Sequence, residues 1–74
     1  MGSHVNSARN LGAVVKKATN VIKLDGLTVY EIARAGKFAY YVTNRKDLAF
    51  LYGVYTERLD VNKELEAGKF NRYM

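Results

Sequence analysis

The chain has 74 residues, no cysteine, no proline and a formal charge of +5, from twelve Lys and Arg against seven Asp and Glu. That length allows one small domain with a thin core, and the lack of cysteine excludes disulfides and thiolate-built metal sites. The only histidine, His4, lies in the leading "MGSH", which reads as a cloning remnant and leaves residues 5–74 as a single small domain.

Residues Ser7 to about Asn20 are predicted as an amphipathic N-terminal helix. Leu11, Val14, Val15, Ala18, Val21 and Ile22 recur at helical spacing and form one apolar stripe. Arg9, Lys16 and Lys17 fall away from it. Asn6 or Ser7 can cap the start, and the two lysines near the end suit the helix dipole. Leu11, Val14, Val15, Ala18 and Ile22 are the candidate residues for a partner or self-association interface.

The period then changes to that of strands. Asp25-Gly26 between Leu24 and Leu27 is a two-residue hairpin signal, because the turn needs positive φ at both central positions. Arg34-Ala35-Gly36 suits a three-residue loop with Gly36 in the left-handed position. The implied strands are 21–24, 27–33 and 37–43. Those loops pair Leu24 with Leu27 and Val21 with Tyr30, and then Ala33 with Lys37, Ile32 with Phe38 and Tyr30 with Tyr40. Both resulting faces are rich in apolar residues, so both are expected to be covered, by a helix or by another chain.

Residues 48–55, "LAFLYGVY", admit two readings. Leu48, Leu51, Tyr52, Tyr55 and Leu59 keep a helical period, but the run is short, apolar and rich in Phe, Tyr and Val, and composition favours a strand. Beyond it, "TERLDVNKELEAGKF" is predicted as a helix, capped by Thr56 or Asp60 and stopped by Gly68. The fold class is therefore α+β: an N-terminal amphipathic helix, an antiparallel β-meander of three strands (four if 48–55 is counted) and a C-terminal helix.

Catalytic constellations are missing. Neither cysteine nor a native histidine is present to act as nucleophile, base or soft metal ligand, and no phosphate-loop or dinucleotide motif occurs. No cofactor, metal or small-molecule substrate is implied. Glu31, between Tyr30 and Ile32 in mid-strand, reads either as a cross-strand partner of a basic side chain or as a polar anchor in an interface. No apolar run approaches the roughly 20 residues of a membrane span, and a cytoplasmic location is expected.

The positive signal is basic residues interleaved with aromatics. Arg34 and Lys37 flank one hairpin tip, Arg45 and Lys46 form a second, and Tyr30, Tyr40 and Tyr41 lie on the strands between. Cations neutralise phosphates and flat rings stack on unpaired bases, so these seven residues are the candidate nucleic-acid contacts. The expected function is a small, basic, non-enzymatic nucleic-acid-binding protein. The alternative is a protein–protein module, such as a small inhibitor, adaptor or assembly subunit, with a homodimer as its favoured form.

Overall fold

The computed structural model describes residues 8–74. Along the chain these form β1 (Ala8–Asn10), α1 (Leu11–Lys17), β2 (Asn20–Leu24), β3 (Leu27–Arg34), β4 (Lys37–Thr43), β5 (Leu48–Tyr55) and α2 (Val61–Glu66), then a 3-10 turn at Asn71–Tyr73. The strands make one antiparallel sheet in the order β1-β5-β4-β3-β2. The class is α+β with an antiparallel sheet, and residues 48–55 are a strand.

The N-terminal helix expected over Ser7 to Asn20 is not found. The described chain opens as a strand, with Ala8, Arg9 and Asn10 opposite Phe50, Ala49 and Leu48. Leu11 N–H donates to the Asp47 carbonyl at 2.9 Å, and only the seven residues Leu11–Lys17 are helical. The helix ends because Ala18 turns extended and the Thr19 N–H and hydroxyl both bond the Glu31 carbonyl. That clamp starts β2, so Val21 and Ile22 belong to a strand and not to the helical stripe. Long-range pairing with Glu31 outweighs a stripe built on two valines of modest helix propensity. The caps proposed at Asn6 and Ser7 lie outside the described residues.

The meander has more strands than the three or four expected, because β1 adds a fifth on the outer edge of β5. The β2–β3 hairpin has the expected register, with Leu24 opposite Leu27 and Val21 opposite Tyr30, but only Gly26 (φ 88°) of its two turn residues is left-handed, so the turn is not the expected one with positive φ at both central positions. The β3–β4 loop has two residues and not three: Ala35 (φ 52°) and Gly36 (φ 75°) are both left-handed, and Arg34 pairs with Lys37. An alanine at positive φ is uncommon, which is why the shorter turn is hard to read from sequence. A one-residue slip sends every side chain of a strand to the other face. Tyr40 consequently lies opposite Glu31, and Tyr41 opposite Tyr30.

Each face of the sheet has its own cover. On one side Leu27, Val29, Tyr40 and Val42 pack with Val61 of α2 and Phe70 of the C-terminal segment. The Asp60 side chain caps α2 by accepting the Lys63 N–H, and Gly68 (φ 76°) turns the chain so that Phe70 reaches the sheet. There the Phe70 ring meets Tyr52 at 4.8 Å between centroids. A bulge in β5, opposite Tyr40 and Tyr41 of β4, brings Tyr52 to this face as an additional residue. Gly53 fits beside it because the Tyr55 ring lies within 3.0 Å of where a Cβ would sit. On the other side α1 lies over Tyr41, Ala49 and Ile32, and contributes one fully buried side chain, Val14.

Candidate nucleic-acid interface

Consecutive turns of a meander fall at opposite ends of the sheet. The cationic tips Arg34–Lys37 and Arg45–Lys46 are therefore not one surface, and β4, seven residues of about 3.3 Å rise each, lies between them. At the β4–β5 loop Arg45 is engaged by Asp47 through two bonds of 3.1 and 3.2 Å. The β3–β4 tip has no such compensation. Arg34 and Lys37 face each other in the register and point to the α1 side, where α1 ends at Lys17.

Arg9, Lys17, Arg34 and Lys37 ring one concavity of about 290 Å³ on that side. No carboxylate lines it, and none of the four is in an ion pair among the described residues. Its floor is Ile32, Ala39, Tyr41 and Val54. Ile32, Ala39 and Val54 stand in one row across β3, β4 and β5. The small middle residue makes the dip, and α1 stops short of covering it. Four like charges around a shallow low-dielectric floor concentrate positive potential there.

The charge is unevenly spread over the molecule. The segment from Thr56 to Met74 has four acidic and four basic residues. All of the excess positive charge lies before it, on the sheet, its turns and α1. The three carboxylates of that part are Asp25, Asp47 and Glu31. The first two sit at the end of the sheet away from the concavity, and the third points to the α2 side.

The sequence-predicted residues divide accordingly. Arg34, Lys37 and Tyr41 come together at the concavity; Arg45 and Lys46 do not join them. Tyr30 is half-buried beside α1, and Tyr41 is 6 % exposed with the Arg9 guanidinium 5.8 Å from its ring centre. Tyr40 is fully enclosed on the α2 side and has no ring face to offer a base, which corrects its place among the stacking candidates. Of the interface candidates, Val14 is buried within its own chain, Leu11 and Ala18 are half-buried, Ile22 packs into the α2-side core, and Val15 alone is exposed. Arg9 and Lys17 are the residues that sequence reasoning missed. Both look like the solvent side of a long helix, and nothing local says that β1 and the end of α1 flank the β3–β4 tip.

Glu31 has a structural part. It is 3 % exposed, and its Oε2 accepts the Tyr40 hydroxyl at 2.8 Å. That hydroxyl in turn accepts the Leu59 N–H at 2.8 Å. Glu31 Oε1 has no hydrogen-bond donor among the described residues, and Arg58 Nε lies 3.7 Å from it. Burial, and then the bond to Glu31, raise the pKa of Tyr40 above its ordinary value. These groups tie the sheet to the segment that leads into α2.

A further concavity of about 380 Å³ lies beyond Phe50 and Tyr73, but its guanidinium groups are already occupied: Arg45 by Asp47, and Arg72 by the Tyr73 hydroxyl at 2.8 Å. No helix among the described residues is long and apolar enough to cross a membrane. Comparison with known protein families, with curated proteins and with solved structures finds no match to this chain.

Proposed function

We propose that this chain is a small, non-enzymatic binding protein that holds nucleic acid through the α1 side of its sheet. The observation that supports this reading is the ring of Arg9, Lys17, Arg34 and Lys37 around one concavity that no carboxylate lines. Because Tyr30, Tyr40 and Tyr41 are half-buried or buried, the contact is to phosphates and not to stacked bases. Binding is then largely independent of sequence, since phosphate contacts position a protein without reading bases. Four phosphate contacts give log K against log salt a slope of about −3.6 on duplex and about −2.8 on a single strand. Fluorescence anisotropy with duplex and single-stranded probes over a salt series tests this. Absence of binding at low salt overturns it.

One observation favours a protein partner instead. Val15, Val21 and Val54 are 47 %, 46 % and 53 % exposed, and all three lie on the α1 side. Such a partner is acidic with some apolar surface. A second copy would set four cations against four, so a homodimer through this face is disfavoured. Light scattering over a concentration series separates the two: a dimer that strengthens with dilution of salt contradicts that charge argument.

A further inference from the structure

We infer that the concavity takes the terminal phosphate monoester of a nucleic-acid strand in preference to the phosphodiesters along its length. The inference rests on the nucleic-acid reading and names the part of the ligand that the site selects. Three observations point to it. The cations are densest at one end of the sheet: four ring the concavity with no carboxylate among them, whereas at the opposite end Lys23, Arg45 and Lys46 are set against Asp25 and Asp47. The focus is a dip and not a ridge, with Ala39 as its low point between Ile32 and Val54. The rim is wholly cationic, while the floor is mostly aliphatic with the largely buried Tyr41 ring.

A backbone diester carries one charge and is flanked by sugar on both sides, so a dip of this size meets it only at its rim. A monoester end carries close to two charges at pH 7 and three strong acceptor oxygens, and it protrudes from the strand. It can descend between Arg34 and Lys37 on one wall and Arg9 and Lys17 on the other. The first sugar then rests against the aliphatic row of the floor. Arginine suits such a group, since its planar fork meets two phosphate oxygens at once. The same chemistry is offered by a free nucleotide, and the test separates the two sources.

The probes are one labelled oligonucleotide with a terminal phosphate, the same oligonucleotide with a terminal hydroxyl, and an unlabelled nucleoside monophosphate as competitor. The phosphorylated strand is expected to bind on the order of tenfold more tightly at low salt, because one additional charge faces four cations. Ala39→Leu fills the dip without changing any charge and is expected to abolish that preference. Lys17→Gln, an exposed change that removes one of the four cations, is expected to reduce the preference severalfold, and it serves if Ala39→Leu fails to fold by circular dichroism. Equal binding of the two strands overturns the inference while the nucleic-acid reading stands. Retention of the preference in both variants also overturns it. A monophosphate that competes as well as the phosphorylated strand assigns the dip to free nucleotides and overturns the strand-end assignment. Binding of neither strand removes the nucleic-acid reading and the inference together.

Discussion

The two faces of the sheet are packed to different depths. The α2 side joins Leu27, Val29, Tyr40, Val42, Val61 and Phe70 in one buried cluster, ringed by Tyr52, Tyr55 and Tyr73. Its polar groups are tied into that packing: Tyr40 bonds Glu31, Tyr52 donates to Glu64 at 2.7 Å, and Lys69 lies 3.4 Å from the same Glu64. The α1 side rests on Val14, Tyr41 and Ala49, leaves valines in water and gathers at one end four cations that are in no ion pair among the described residues. One sheet thus carries a deeply packed face and a shallower one with exposed valines and cations. A domain of this size cannot make both faces deep.

The comparison is sharpest where a truncation should hurt one side more than the other. Phe70→Ala removes a fully enclosed ring and is expected to cost about 3–5 kcal/mol. Val14→Ala on the other side removes two methyl-sized groups and is expected to cost about 1–2 kcal/mol. Urea unfolding of both variants measures the difference, and equal losses would undo the contrast in packing depth.

Tyr40→Phe comes next. It leaves the buried Glu31 carboxylate and the Leu59 N–H without their shared hydroxyl, at an expected cost of about 2 kcal/mol. The same chemistry makes stability depend on pH at the alkaline end. Tyr40 and Tyr52 both have pKa values raised from 10.0, by burial and then by hydrogen bonds to Glu31 and Glu64. Below pH 10 folded and unfolded chains both keep these protons. Above it the unfolded tyrosines lose theirs first, so stability falls as pH rises beyond about 10. Thermal melts across that range check the sign. A Tyr40→Phe/Tyr52→Phe variant, though less stable throughout, should show a shallower alkaline decline.

Much of the α2 side was legible in the sequence. Asp60 and Gly68 mark α2, Asp25-Gly26 marks the first hairpin, and the composition of residues 48–55 favours the strand that is found. The α1 side was not. Its helix is cut short by Thr19 reaching Glu31, twelve residues away, and no local pattern reveals that bond. The β3–β4 loop is shorter by one residue than its composition suggests, and that single slip exchanged Tyr40 and Tyr41 between the faces. The separation of the two cationic tips was available from topology alone, since successive meander turns alternate ends. Arg9 and Lys17 reach the site through pairing of β1 with β5 and through the early end of α1, both long-range effects.

The smallest expected effects fall at the cationic tip. Ala35→Gly relieves a left-handed alanine and is expected to stabilise by about 0.5–1 kcal/mol. The Arg34→Gln/Lys37→Gln double variant changes only exposed side chains, and its stability is expected to stay within about 0.5 kcal/mol of the parent. Denaturant midpoints decide both.

The most direct test compares that double variant with Lys63→Gln/Lys69→Gln, which removes the same charge from the α2 side. Nucleic-acid affinity is measured for both as salt is varied. Loss of the β3–β4 tip cations is expected to weaken binding at least tenfold at low salt and to flatten the salt slope by about 2, while loss of the α2-side lysines leaves the affinity within about twofold. Equal losses from the two variants would show that net charge alone governs binding, and would contradict a site on the α1 side.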